Sequence, residues 1–403
     1  MSARTVRSLL VASGIAGIVV AARLWRLDAI PGEWYGDIST LYEYAAALRH
    51  GDLPPTLYVV GVGPLYPAIL AAVLPPGPAD YLAYKLVGVA LSVAGLAALH
   101  VLARRLHPGR AFAWLVVLVA GTGSWLLALS RLGDQHPLPF ALVAVATALA
   151  AGLDRQEGRA RLRAVACGAA AGAGLYAYGA AFMLPAVVAA VVFDRWRRGR
   201  VARSTALVVA ATMVVVAAPL AVAVIAHWAD VRGGHFARAA ASGPAEVVAN
   251  VARGLGAFFA RGDPNPRVNP DGAPHLDPLS GLALLAGFAW WLRAPRREAG
   301  TIVVGAFLAM QVPSFLTAAA SVPSAGRTIG AAPFAYLLVA GGLWWAREAL
   351  ERLTSRRAAN VALACAAATI VAVNLQRIFV DYPAGLPWGN VQVARPIARH
   401  LAA

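Results

Sequence analysis

The chain has 403 residues, 60% hydrophobic and 13% charged, with a mean hydropathy of +0.65 and a formal charge of +16. That much apolar surface exceeds what one water-facing core hides, so lipid is the principal solvent and a polytopic, all-α membrane bundle is expected. The positive charge does not point to nucleic acid, because the arginines stand in short clusters between apolar runs, as cytoplasmic loops do.

The first apolar run, about residues 8–22, follows Arg4 and Arg7 and continues into Arg23 and Arg26 without a small-residue cleavage site, so residues 7–26 read as an uncleaved span. Further runs at 82–103, 111–130, 137–153, 164–180, 181–193, 204–227, 279–293, 300–319, 328–346 and 358–376 bring the expected number to about eleven. Cys167 and Cys365 fall inside these runs without metal-ligand or redox spacing, and no disulfide framework is implied. Gly168-Ala-Ala-Ala-Gly172 is a small-residue stripe of the kind that packs helices. There is no internal repeat, and hence no inverted-repeat transporter signature.

Arg104-Arg105 with Arg110, Asp154 to Arg163, Arg195 to Arg203, Arg293 to Arg297 and Arg347 to Arg357 all fall on alternate connections. The inside-positive rule makes those connections cytoplasmic, with the N terminus inside and the tail 381–403 outside. Residues 1–380 are then one transmembrane unit of the cytoplasmic (inner) membrane, carrying two long extracytoplasmic loops, 27–81 and 228–278. Long ordered loops in compact proteins are usually functional, so function is sought outside.

In the first loop Ile38, Leu41, Tyr42, Ala45 and Leu48 recur at helical spacing opposite Ser39, Glu43 and His50, which predicts an amphipathic helix along the membrane surface. Residues 63–76 are apolar, too short to span and bounded by prolines, which fits a surface-lying or re-entrant piece. Asp37 heads the predicted helix, where an acid serves either as an N-cap or as a functional group. Trp34, Tyr35, Tyr42 and Tyr44 suit both an interfacial belt and stacking on sugar rings.

Lys85 is the sole lysine, a compact charge at the outer end of the second span that suits either a snorkelling anchor or a phosphate ligand. Asp134 and His136, before Pro137, are a second outward polar pair, as a helix cap or as partners of Asp37. Arg327 stands in a short outer loop where the inside-positive rule predicts no arginine, and Gly326, Thr328 and Gly330 around it permit close approach to a phosphate. In the second long loop Asp263, Asn265, Asn269, Asp271, His275 and Asp277 offer ligands to a hard cation, but Arg267 and Gly272 break the EF-hand spacing. A rigid, turn-rich lid is expected there, with a divalent cation as the alternative. His227, His235 and Arg238 match no motif. The absence of a zinc signature, Walker loop, nucleophile elbow or dinucleotide fingerprint excludes nucleotide-driven pumps and most hydrolases.

Taken in order, these pieces resemble a known family. A first span, then Trp34-Tyr35-Gly36-Asp37, then Tyr42 to Gly51-Asp52, is similar to the first extracytoplasmic loop of the GT-C glycosyltransferases that use polyprenyl-phosphate sugars, in particular the protein O-mannosyltransferase-like group and the aminoarabinose transferases of lipid A. That group reads Trp-x-Pro-Asp-Glu here. Asp37 matches its Asp, while Gly36 and Ile38 replace the proline and the second acid. Pro64-Leu65-Tyr66-Pro67, Lys85, Ser130-Arg131-Leu132-Gly133, the loop 261–288 and residues 323–333 resemble further family segments.

The resemblance implies a GT-C bundle that moves a sugar from a polyprenyl-phosphate donor to an extracytoplasmic acceptor; no cofactor and no assigned metal ligands are expected, with a divalent cation possible. Asp37 would be the base, aided by Asp134, and Arg327 and Lys85 would hold the donor phosphate. Trp34, Tyr35, Tyr42, His136, Asp263, Asn265 and His275 would contact substrates. Physical reasoning agrees: a donor anchored in the bilayer presents its phosphate at the interface, where a carboxylate can deprotonate a hydroxyl and cations can hold the leaving group. Two rivals remain at the level of sequence. A transporter or flippase of a lipid-linked sugar is disfavoured by the scarcity of mid-span charge. A catalytically inactive scaffold is suggested by Ile38 and by the lack of an Asn-Gly-Arg-Glu-like stretch before Pro64.

Overall fold

The structure, a computed structural model, describes residues 3–32, 36–51, 62–77, 80–154, 160–234, 239–293 and 296–386. Trp34, Tyr35, His235, Arg238 and the tail beyond residue 386 lie outside the described residues. The helices run α1 (Ala3–Leu24), α2 (Gly36–Arg49), α3 (Leu65–Val73), α4 (Tyr81–Leu106), α5 (Arg110–Thr122), α6 (Ser124–Arg131), α7 (Pro137–Ala151), α8 (Ala160–Ala173), α9 (Leu184–Arg197), α10 (Arg203–Ala226), α11 (Trp228–Gly233), α12 (Pro244–Gly256), α13 (Pro278–Leu292), α14 (Arg297–Ala309), α15 (Val312–Phe315), α16 (Ala332–Leu353), α17 (Arg356–Gln376) and α18 (Tyr382–Gly385). Among the described residues there is no strand beyond one isolated bridge between Ala240 and Thr317. The all-α membrane fold expected from composition is the fold observed.

Each expected apolar run overlies a helix. By length and composition 6 helices can cross a membrane, and the pair α5 and α6, bent by 57° at Gly123, makes a seventh. Leu9–Leu24, Pro137–Ala151 and Pro278–Leu292 are shorter apolar helices. The runs expected at 164–180 and 181–193 are a hairpin: α8 ends at Ala173, 3-10 turns cover Gly174–Tyr176 and Gly179–Ala181, and α9 begins at Leu184. The reversal is invisible to hydropathy because its glycines and alanines are as apolar as the helices they join.

α16 forms the centre, packing on α13, α5, α14 and α17, and is the most buried of the long helices. α10 is its opposite, with Leu207, Val214, Val215, Val222 and Ile225 exposed on a flank suited to lipid. The Gly168–Gly172 stripe of α8 lies against the backbone of α10 at Val209 and Met213, the packing role expected of it. At the end of α1 the buried Arg131 guanidinium donates to the carbonyls of Ala22, Arg23, Trp25, Arg26 and Ile30, satisfying oxygens that a helix C-terminus leaves unpaired.

α2 buries the face read from the sequence, and it does so against protein. Ile38, Leu41 and Ala45 join Tyr66 and Leu70 of α3, Tyr84 of α4 and Leu138 of α7 in one apolar cluster. Arg49 at the end of α2 donates to the carbonyls of Leu70, Ala71 and Leu74, closing the C-terminus of α3. The loop 228–278 is not turns alone, since it contains α11 and the amphipathic α12.

Candidate active site

The segments that precede α3, α7, α9, α13 and α16, together with the first turns of α2, enclose a cavity of about 630 Å³. α2 supplies Asp37, Thr40, Glu43 and Tyr44, spaced so that one face of the helix lines the space. Asp37 lies in the first turn of α2 and lines the cavity.

Asp134, Gln135 and His136 enter because Gly133 adopts a left-handed turn with φ of +71° over the N-terminus of α4. Asp134 Oδ2 lies 3.0 Å from His136 Nδ1, and Gln135 Oε1 accepts from the Gly63 N–H at 3.2 Å. Burial works against a charged His136, yet the charge and hydrogen bond of Asp134, then Asp263 and Asp37, outweigh it and raise the imidazole pKa above 6.5. Tyr178, from the hairpin between α8 and α9, meets the His136 ring edge-on at 5.1 Å and accepts from Arg327. Burial raises the Tyr178 phenol pKa despite that guanidinium.

Arg327 is held by a loop fixed on both sides. Asp263 Oδ2 accepts from the Ala325 N–H at 2.7 Å and Oδ1 from the Asn265 N–H at 2.9 Å, while Trp125 Nε1 donates to Ala325 O at 2.9 Å. Burial raises the Asp263 carboxyl above the usual range, opposed by those two N–H groups and by His136 and Arg327. Gly326 meets His136 so closely that a Cβ there would stand 2.1 Å from Nε2.

The cavity therefore brings together Asp37, Asp134, His136, Asp263, Asn265 and Arg327 of the expected site. It does not include Lys85, Tyr42 or His275. The Lys85 ammonium is fully buried, donates to Leu27 O at 2.7 Å and Pro31 O at 2.5 Å, and lies 4.2 Å from the Tyr81 ring centroid. Its charge closes the backbone after α1 instead of facing the space in which Arg327 stands. Tyr42 donates to Gly77 O at 2.7 Å and packs on Tyr84, since it points from the apolar face of α2, whereas Tyr44 lines the cavity. His275 is a buried plate stacked 4.9 Å from Trp125, and burial lowers its pKa to about 3, leaving it neutral. Sequence reasoning missed Tyr178, which lay inside an expected span, and Gln135, Thr40 and Ser324, which carry no motif. The helical repeat from Asp37 to Thr40 was the available signal for the missed position on α2. Among the described residues no group of three or more His, Cys, Asp or Glu side chains is placed to hold a metal ion.

A cavity lined by carboxylates, a guanidinium and a cation-prone imidazole can take a proton from a hydroxyl while holding an anionic leaving group. No protein-family profile and no curated protein sequence matches the chain. Solved structures do. ArnT from Cupriavidus metallidurans bound to undecaprenyl phosphate is similar over 98% of this chain and 79% of its own, with 15% identity and a TM-score of 0.62. The archaeal oligosaccharyltransferase AglB from Archaeoglobus fulgidus, in complex with an inhibitory peptide and a dolichol-phosphate, is similar over 93% of this chain, with 14% identity and a TM-score of 0.57. This chain spans 56% of that oligosaccharyltransferase, about half its length. At these identities the likeness is one of fold, and it extends over nearly the whole chain.

Proposed function

We propose that this chain, whose fold is the GT-C fold its sequence resembles, is a membrane glycosyltransferase that moves a sugar from a polyprenyl-phosphate donor to an acceptor outside the cytoplasm. The observation that carries the reading is the meeting of Asp37, the Asp134–His136 pair and Arg327 in one cavity at one end of the bundle. Lipid-phosphate carriers occupy two solved structures of the same fold, which supports the donor class.

Asp37 takes the proton of an acceptor hydroxyl. The acceptor oxygen forms a bond to the anomeric carbon as the bond from that carbon to the phosphate oxygen breaks, with inversion. The electron pair leaves on the polyprenyl phosphate, which Arg327 and protonated His136 hold. Asp134 keeps His136 oriented and charged, and Tyr178 and Asp263 fix Arg327. The reading requires no cofactor.

The same reading orients the chain. The cavity lies toward the N-terminal ends of α7, α9, α13 and α16, and arginine clusters follow their C-terminal ends, so the cavity faces outward from the inner membrane and the N terminus lies inside. Residues 1–380 act as the transferase unit, with 381–403 as an outer tail. The test is transfer of labelled sugar from polyprenyl-phosphate donors by the protein in proteoliposomes. Asp37→Asn is expected to lower kcat by about 10²- to 10⁴-fold, the range for loss of a general base. Full transfer by that variant, or donor translocation without transfer, would sink the proposal.

A further inference from the structure

Beside the reaction cavity lies a second one of about 370 Å³, lined by Arg253 and Arg261 together with Gly256, Gly262, Pro264 and Pro323. Pro264 and Pro323 line both cavities and form the wall between them. Among the described residues its only charged lining groups are the two guanidiniums. Among the described residues neither has a carboxylate within salt-bridge distance. Glu246, which feels the Arg253 charge, spends its oxygens on the Ser242 N–H and O–H and the Ala319 N–H.

Arg253 is also set in place. Asn250 is fully buried, and its Nδ2 donates to Phe315 O at 3.1 Å and Thr317 O at 2.6 Å, which fixes the direction of the amide. The remaining Asn250 Oδ1 accepts from Arg253 Nη1 at 3.1 Å. A guanidinium held in this way has lost part of its rotamer freedom before a ligand arrives, so less is lost on binding. Arg253 stands in the last turn of α12, where a cation also complements the helix dipole, but Arg261 follows the helix and has no such reason to be there. Both belong to the loop that charge asymmetry places outside, where arginine is disfavoured.

We propose that this second cavity is an anion subsite that takes a phosphate ester through Arg253 and Arg261. Two planar donors without acid partners among the described residues, in a space otherwise walled by glycine, proline, Ala260 and Val322, match the several oxygens of such a group. Its place across a shared wall from the reaction cavity gives it a role that rests on the transferase reading: it holds the phosphate of the acceptor, or a phospholipid headgroup beside the acceptor, next to Asp37 and Arg327.

The probe is radiolabelled inorganic phosphate, dialysed to equilibrium against the full-length protein in phosphatidylcholine nanodiscs. Arg327→Gln with His136→Gln is used as the background so that the phosphate holders of the reaction cavity are removed. Adding Arg253→Gln and Arg261→Gln is expected to weaken phosphate binding by about tenfold or more, and the corresponding lysine replacements are expected to recover part of it. Asp37→Asn is expected to leave phosphate binding unchanged, so failure of the transferase reading and failure of this subsite are seen in separate assays. Phosphate binding that is equal with and without the two arginines overturns the proposal. Repeating the titration with phosphatidylglycerol in the nanodisc separates the sources: displacement of phosphate by the lipid assigns the subsite to a headgroup, and lack of displacement assigns it to a phosphorylated acceptor.

Discussion

Gly326→Ala probes whether the Arg327 loop and the His136 imidazole form one fixed unit. A Cβ at residue 326 would stand 2.1 Å from His136 Nε2, 2.6 Å from Cδ2 and 3.1 Å from Cε1. Ordinary contact begins near 3.4 Å, so ring or loop must retreat by roughly 1.3 Å. The ring has little room to move, with Asp134 at 3.0 Å from Nδ1 and the Tyr178 ring edge-on at 5.1 Å. The loop is tied by Asp263 and Trp125. Overpacking of this kind costs about 1 to 3 kcal/mol, and a displacement of about 1 Å at a reacting centre costs on the order of 10²-fold in rate. The assays are thermal unfolding in detergent and sugar transfer in proteoliposomes. Removing the ring should relieve the clash, so Gly326→Ala combined with His136→Ala should be more stable than the sum of the single effects by about 0.5 to 3 kcal/mol. A Gly326→Ala protein as stable and active as the parent, or purely additive effects in the double variant, would refute the reasoning.

The His136 pKa is raised above 6.5, so the stability it contributes is fully present below 6.5 and is lost as pH rises through the folded value. Unfolding midpoints measured from pH 6 upward should therefore fall on the alkaline side in the parent and flatten in His136→Gln, and an unchanged profile would contradict the assigned charge. Lys85→Met leaves two buried carbonyls without their charged donor, at about 1 to 3 kcal/mol each. It should lower stability while sparing donor KM, whereas Arg327→Gln should raise donor KM, and equal KM increases would place Lys85 on the donor after all. Asp263→Ala strips the acceptor from the Asn265 and Ala325 N–H groups, so it should loosen the Arg327 loop and raise donor KM more than it lowers kcat. Steady-state kinetics with the donor varied decides that point.

The legible and illegible parts of the site divide along physical lines. Asp37 was marked by its place before an amphipathic face, and that face is buried as its 3.6-residue period requires. Arg327 was marked by standing in a short loop that the charge pattern of the sequence assigns to the side where arginine is not expected. Lys85 gave a similar signal, yet its ammonium turns inward to the carbonyls of Leu27 and Pro31, because whether a long side chain reaches water or backbone depends on neighbours far along the chain. His275 looked like a ligand among acids and is a neutral ring between Trp125 and Phe258. Tyr178 was hidden within an apolar run because a 3-10 hairpin of glycine and alanine has the hydropathy of a helix.

The sequence by itself determined the membrane-spanning helical class and the end of the helices at which polar chemistry gathers. Hydropathy and charge asymmetry act on each segment independently of its partners, so they can be read one segment at a time. The tertiary structure alone decided which polar groups share the cavity. Asp37, His136, Asp263 and Arg327 lie far apart in the chain, and their convergence follows from how α2, α7, α13 and α16 pack and where Gly133 and Gly326 let the backbone turn and approach. Contacts of that kind depend on helix packing and backbone geometry summed over many residues, which no local pattern encodes.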